Sequence, residues 1–377
     1  MIRKEIYRIL SRKITLLALV VATAFLVYYG SFRITEETVI DNGEIYRYGE
    51  AVAHDKMIAE EFAGPLTVET VQAIWEKYGE PINYKEHSLR DEELLELAKQ
   101  GGYDNYCNTL VAGLFTSSTT EDNGKEILIL GEEKELSENR YLDGSYTFGY
   151  VGKGWSWYWD QLLMTLILTS IVVIIAFSPV FSEDYAFRTA DIILPTVRGR
   201  FQIWRLRTGA GFLFASAYYW LMSAYAFLLN YRIYGGGGLA VSCGLTFMPY
   251  DWTRNSDPIW KAILIMHLTG WFSMLALILQ IQAISSRCRS SFMSLLWSLA
   301  AYLGPIAVIS TILNNFPANR LSMWLRYFGY SMPLSFSGMY TQAPSSSKRI
   351  LLTFALITAV VTTVLGAVGW SRHQVRN

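Results

Sequence analysis

The chain has 377 residues, of which 52% are hydrophobic and 17% are charged, and its formal net charge is zero. Its three cysteines are too few to define a disulfide framework. Six apolar stretches each approach the roughly 20 residues that cross a bilayer, which predicts an α-helical polytopic membrane protein. The predicted spans are residues 14–32, 161–181, 208–231, 259–285, 292–313 and 350–370.

The charges cluster outside these spans, and they do so asymmetrically. Residues 33–157 carry 25 Asp/Glu and 11 Lys/Arg, a net charge of −14. The rest of the chain carries 7 acids and 21 bases, a net charge of +14. Blocks of one sign mark solvated segments, so the neutral total conceals an acidic domain and a basic membrane part.

Lys and Arg near the span ends predict the orientation. Bases cluster in residues 1–13, in the loop after the second span, in the loop after the fourth span and in the C-terminal tail. If the six spans cross the membrane one after another, all four segments lie on the same side. We therefore expect a multi-pass protein of a cell membrane, the bacterial plasma membrane, with this side and both termini in the cytoplasm and the acidic segment outside.

The N-terminal segment, residues 1–13, places Ile2, Ile6 and Ile9 at helical spacing opposite its bases. This pattern predicts a short elbow helix on the inner membrane surface, and a plain basic flank remains the alternative. Ala22-Thr23-Ala24 imitates a signal-peptide cleavage site, but the apolar run continues beyond it. We therefore expect an uncleaved first span.

The acidic segment, residues 33–157, is long enough to form an extracellular domain of its own, and its patterns predict a mainly helical one. Thr67 can cap a helix over residues 68–78. A capping-box pattern at Ser88–Asp91 predicts a second helix that ends at Gly101-Gly102. Residues 125–130 are compatible with a short strand.

Catalytic and cofactor motifs are absent from the sequence. There is no Gly-x-x-x-x-Gly-Lys-Ser/Thr loop, no Gly-x-Ser-x-Gly elbow and no metal-ligand spacing among the four histidines. The adjacent residues His54 and Asp55 could suggest a general base, but a lone pair of this kind on the surface is more often simply solvated. We expect a protein that is not an enzyme, uses no cofactor or metal of its own and binds no nucleic acid.

Ionisable residues inside the spans are almost limited to His267 in the fourth span. Such a residue is either an interhelical packing partner or part of a transport pathway. A proton-driven transporter usually carries carboxylates in its spans, so their scarcity indicates that a partner supplies the energy. Cys107 and Cys243 lie on the same predicted side, and the sequence leaves open whether they pair.

The inner loop, residues 182–207, carries the most specific motif. An acidic residue, Glu183, leaves the second span and is followed by Thr189, Leu194, Pro195 and then Arg198 or Arg200. This order resembles the type-2 ABC export permease family. Arg188 stands where Gly is usual, and Leu206-Arg207 stands for the usual Gly-Lys.

The resemblance covers the elbow, the six spans, the external domain between the first two spans and the apolar residues 314–349. In the family these last residues form a re-entrant helical pair that faces outward. The resemblance implies a permease subunit that forms a translocation path with a second, identical or related permease subunit. It also implies separate ABC ATPase subunits that consume ATP, with Glu183, Thr189, Leu194, Pro195, Arg198 and Arg200 coupling them to the path.

The inner loop also has an interpretation from its residues alone. Ile192, Ile193 and Leu194 lie among arginines, which is typical of an amphipathic element that docks on a cytosolic protein. The alternative is an interfacial helix held by anionic lipid. At the level of the whole chain, the competing function is a membrane-anchored sensor, binding or immunity protein whose acidic domain captures a cationic peptide.

Overall fold

The computed structural model describes residues 2–32, 37–82, 96, 98–99, 101–120, 126–196, 199–246, 256–311, 315 and 319–372. Within these residues, six helices or helix pairs are long and apolar enough to cross a membrane. This confirms the prediction of an α-helical polytopic membrane protein. The spans are α2 (Lys13–Phe32), α8 with α9 (Tyr158–Phe177 and Pro179–Ala186), α11 (Phe201–Tyr234), α12 (Ile259–Ser285), α13 (Ser291–Thr311) and α16 (Ser345–Ser371).

The chain divides into two compact units. The first consists of residues 1–28, 160–226 and 264–377, and the second of residues 29–159 and 227–263. The second unit therefore takes its chain from the predicted external domain and from the ends of α11 and α12. The loop between these two spans belongs to that unit, which the sequence did not predict.

The first unit is built around the span formed by α8 and α9. In the most apolar 18-residue segment of this span, 61% is buried inside the protein, compared with 17% of the corresponding segment of α16. The core contains the fully buried aromatic side chains Phe177, Phe181, Tyr302 and Trp370. The α8–α9 span is thus central, and α16 presents most of its surface outward.

A break at Ser178 separates α8 from α9. Pro179 follows it and has no backbone N–H to donate, so the helical ladder is interrupted here. The hydroxyls of Ser285 and Ser294 donate to the Ser178 carbonyl oxygen at 2.7 and 2.5 Å. Two other spans therefore supply the hydrogen bonds that hold this break in place.

Further helices of the first unit lie outside the spans. A helix is present at α1 (Ile2–Leu10), where the elbow was predicted. Residues 319–342 contain α14 (Arg320–Tyr330) and α15 (Phe336–Gln342), so a helical pair occupies much of the stretch between the last two spans. Gly329 of α14 lies so close to Ile309 of α13 that a Cβ atom there would be 2.3 Å from the Ile309 Cδ1 atom.

In the residues that the structure describes, the second unit combines α-helices with short antiparallel strands. The helices are α3 (Gly49–Glu60), α4 (Val68–Tyr78), α5 (Tyr106–Phe115), α6 (Glu133–Ser137) and α7 (Gly152–Ser156). One sheet has the order β2-β1-β4, from β1 (Thr38–Asp41), β2 (Glu44–Arg47) and β4 (Tyr103–Asp104). Two further pairs join β3 (Gly64–Pro65) to β7 (Thr147–Phe148) and β5 (Thr116–Thr120) to β6 (Glu126–Leu130).

Local sequence signals in this unit predicted α4 and β6. The Thr67 hydroxyl accepts from the Thr70 backbone N–H at 3.4 Å, which confirms the predicted cap. The strand predicted at residues 125–130 is β6. The helix predicted from the capping box at residues 88–91 begins outside the described residues. The other strands among the described residues, which have two to five residues each, were not predicted.

Candidate functional site

The inner loop begins within α9 and contains the single-turn helix α10 (Ala190–Ile193). The structure places Glu183 on α9, Thr189 directly before α10, and Leu194 and Pro195 directly after it. Arg188 links α9 to α10 and has a φ of +56°, a left-handed conformation that favours glycine. Arg198 lies outside the described residues.

Glu183 is bound within the chain. Its carboxylate accepts a hydrogen bond from the guanidinium of Arg12, which directly precedes α2. The same guanidinium donates from Nη1 to the Ala176 carbonyl oxygen at 3.0 Å, two residues before the Ser178 break. The Glu183 side chain is 31% exposed, so the ion pair is half-buried. Together these contacts join the start of the first span to the break in the second.

Asp184, the next residue, lies in a more buried ion-pair network. It accepts from Arg207 of α11, whose Nη1 also donates to the Val180 carbonyl oxygen at 2.8 Å. Arg8 of α1 lies 3.7 Å from the Asp184 carboxylate and 3.1 Å from Glu5. Burial, and then the neighbouring charge of Arg207, lower the pKa of Arg8. Two helices from distant parts of the sequence, α1 and α11, thus meet α9 at Asp184.

Aromatic side chains cover the other face of this network. The Arg207 guanidinium carbon lies 5.1 Å from the Phe181 ring centroid and 5.4 Å from that of Trp370. Trp370, near the end of α16, donates from Nε1 to the Gly199 carbonyl oxygen at 3.0 Å. The last span is therefore attached both to α9 and to the end of the inner loop.

The outward side of the inner loop exposes large apolar side chains. Phe187, Ile192 and Phe201 are 73%, 74% and 58% exposed. Three arginines of the same segment, Arg188, Arg200 and Arg205, are also exposed, and the guanidinium carbon of Arg205 lies 5.6 Å from the Phe201 ring centroid. We call this surface the docking face and define it by Phe187, Arg188, Ile192, Arg200, Phe201 and Arg205.

The predicted coupling residues divide between the docking face and the interior. Arg200 belongs to the face, and Thr189 and Pro195 are exposed beside it. Leu194 is 2% exposed and packs in the core of the first unit. Sequence reasoning missed Asp184 and Arg207, although the adjacent acids at 183 and 184 and the base at the start of the third span were visible signals.

His267 lies in a packed environment. It is 8% exposed, its ring centroid is 5.7 Å from that of Trp220, and its carbonyl oxygen accepts from the Tyr219 hydroxyl at 3.3 Å. These contacts account for its burial by packing between α11 and α12. Its assignment to a transport pathway stays a prediction.

The described residues contain no group of three or more His, Cys, Asp or Glu side chains placed to hold a metal ion. Cys107 and Cys243 are both buried and free. Burial raises the pKa of the Cys243 thiol to about 12. Neither thiol is therefore in the ionised form that reacts most readily.

Comparisons of the chain with protein-family models, curated proteins and solved structures found no match. The resemblance to ABC export permeases thus depends on the order of residues in the inner loop and on the arrangement of spans.

Proposed function

We propose that the chain is the transmembrane permease subunit of an ATP-binding cassette exporter. It forms the translocation path with a second permease subunit, which is identical or related to it. Separate ATPase subunits bind at the docking face and hydrolyse ATP. The chain itself supplies no catalytic residue, and transport in the outward direction follows from the family resemblance.

The observation that carries the proposal is the exposed docking face. Three large apolar side chains and three arginines are exposed in this one segment, and exposed apolar patches commonly mark protein interfaces. Arginine and aromatic residues are also the types enriched at interface centres. A cytosolic ATPase subunit is a partner of the required kind, because the positive-inside rule predicts that this face lies in the cytoplasm.

The connections behind the docking face suit a coupling role. The face joins α9, which the Arg12–Glu183 and Arg207–Asp184 pairs connect to the starts of α2 and α11. Movement imposed on the face would therefore reach three spans together. The serine-held break at Ser178 is the place where α9 can change its angle to α8.

Arg188 adds support from the motif. It stands where the family usually has Gly, and its φ of +56° is a conformation that Gly adopts without steric cost. The backbone of this chain thus has the shape that the family's usual residue favours, although the side chain differs.

The proposal is tested by measuring how much ATPase subunit remains bound to the permease. We would express tagged chain from its native locus, solubilise it in mild detergent and quantify co-purified proteins by mass spectrometry. Ile192→Glu and Phe187→Glu place a carboxylate at the centre of the docking face. Each should lower the retained ATPase at least tenfold, since a central interface residue contributes about 2 kcal/mol.

Met57→Glu is the matched control, because Met57 is 60% exposed but lies in the second unit. It should retain ATPase as wild type does. Equal retention in all three variants would show that the docking face is not the ATPase site. Absence of any ATPase from the wild-type complex would leave the cationic-peptide binding protein as the better account.

A further inference from the structure

A groove in the first unit lies between α12, α15 and α16. It has a volume of about 240 Å³. Its lining is almost wholly apolar and consists of Ile265, Leu268, Thr269, Phe272, Phe336, Tyr340 and Leu352. Two of the three helices are predicted spans, so hydrocarbon surrounds the groove when the protein is in a bilayer.

The Thr269 hydroxyl already has hydrogen-bond partners within the protein. It donates to the Ile265 carbonyl oxygen at 2.8 Å and is 2.9 Å from the Ser337 hydroxyl. Leu268 and Leu352 at the edge of the groove are 46% and 39% exposed. The groove therefore offers mainly apolar surface, which favours a hydrocarbon occupant over a polar one.

A positive charge lies near one end of the groove. Lys348, in the first turn of α16, has its Nζ atom 5.8 Å from the ring centroid of Tyr340, which lines the groove. Residues 314–349 contain four bases, Arg320, Arg326, Lys348 and Arg349, and no Asp or Glu. This composition is the reverse of the acidic segment at residues 33–157.

Lys348 also lies at a membrane surface. It precedes Trp370 by 22 residues on one helix, or about 33 Å at 1.5 Å per residue, which is close to the thickness of a hydrocarbon core. Trp370 packs against Arg207, which belongs to the ion-pair network beside the inner loop. Lys348 is therefore at the opposite surface. An ammonium group at the height of lipid phosphates, next to an apolar groove, complements an anionic lipid.

We propose that the groove binds one acyl chain of an anionic phospholipid, whose phosphate is held by Lys348. A volume of about 240 Å³ suits part of a single acyl chain and not a whole lipid. The site is independent of the exporter assignment, because none of its residues belongs to the docking face.

The first test measures retained lipid by native mass spectrometry. The full chain is reconstituted with equal amounts of phosphatidylglycerol and phosphatidylcholine, extracted in detergent and progressively delipidated. Wild type should retain phosphatidylglycerol at least fivefold over phosphatidylcholine. Lys348→Gln should reduce this preference to twofold or less, and Leu268→Trp, which fills the groove, should lower retention of both lipids at least fivefold.

Two control variants make the same kinds of change, a lost positive charge and an enlarged apolar side chain, away from the groove. Arg372→Gln removes an exposed charge at the other end of α16, and Leu365→Trp enlarges an exposed apolar residue of the same helix. Both should behave as wild type. If Lys348→Gln and Leu268→Trp also match wild type, the proposal is wrong. Loss of a permease dimer in Leu268→Trp with unchanged lipid retention would assign the groove to a second copy of the chain and would equally overturn it.

A second measurement on wild type avoids any dependence on variant folding. Phosphatidylglycerol with a photoactivatable diazirine in its acyl chain is cross-linked in the membrane, and the labelled peptides are sequenced. Labels should concentrate in residues 265–272 and 336–352. Labelling spread evenly over the outward surfaces of α2, α13 and α16, with no excess at the groove, would refute the site.

Discussion

Arg207 and Asp184 form an ion pair whose side chains are only 3% and 7% exposed, at the junction of α9 and α11. A buried charge that loses its partner is strongly destabilising, typically by about 3–5 kcal/mol. Asp184→Asn should therefore lower the thermal unfolding midpoint of the detergent-solubilised chain, followed by tryptophan fluorescence. Asp191→Asn, a half-buried acid on α10, is the control. Equal midpoints for the two variants would contradict a stabilising role for the pair.

The Arg12–Glu183 pair should show pairwise coupling. Arg12→Glu and Glu183→Arg each place like charges together and should destabilise the chain. The double exchange should restore part of the loss, with a coupling energy of about 0.5–3 kcal/mol, because it restores the ion pair but not the bond from Arg12 to the Ala176 carbonyl. The thermal unfolding midpoints of wild type, the two single variants and the double variant form a double-mutant cycle that measures this coupling. Additive losses would mean that the two residues do not interact.

Gly199 should not tolerate a side chain. A Cβ atom at this position would lie 1.6 Å from the Ile193 carbonyl oxygen, so the inner loop must shift. Gly199→Ala should weaken binding of the proposed ATPase subunit and increase protease cleavage within residues 187–200. In Gly304→Ala of α13, nothing lies within 4 Å of the added atom, and this variant should match wild type. Identical cleavage of both variants would show that the loop accommodates the methyl group.

Asp55 should make the stability of the chain depend on pH. Its carboxylate accepts from the Tyr106 backbone N–H at 2.9 Å. Burial, above all, raises its pKa from 3.8 to about 8, and Glu37 and Asp104 add to this effect. The folded state thus keeps a proton that the unfolded state releases, and stability should fall as pH rises from about 4 to about 8.

Asp55→Asn removes this titration and keeps an acceptor for Tyr106. Its unfolding midpoint should fall less than that of wild type between pH 5 and pH 8, whereas the exposed control Glu60→Gln should follow wild type. Parallel pH profiles for wild type and Asp55→Asn would contradict the raised pKa.

The charge bias predicts which side of the membrane each unit faces. In a Cys288→Ser background, Met57→Cys of the second unit should react with an impermeant maleimide in intact cells. Gln202→Cys, exposed beside the docking face, should react only after permeabilisation. The two remaining native cysteines are buried. The opposite labelling pattern would reverse the proposed topology.

Hydropathy was enough to predict the spans, since crossing a bilayer depends on local composition. The predicted span 259–285 coincides with α12, and the others agree at their centres. Charge counts likewise separated the acidic segment from the membrane part. The break at Ser178 was not predicted, because Pro179 lies inside a continuous apolar run and the serines that hold the break come from residues 285 and 294.

The residues of the inner loop show the same limit more clearly. The motif selected Glu183 and gave no reason to choose its neighbour, yet Asp184 is the more buried acid and carries the pair with Arg207. Successive helical residues point about 100° apart, so only the packing of α9 against α1 and α11 assigns each acid its arginine. Sequence by itself determined the membrane architecture, which local composition encodes. Tertiary structure alone decided the ion-pair partners, because residues 12 and 183 come together only after the spans have packed.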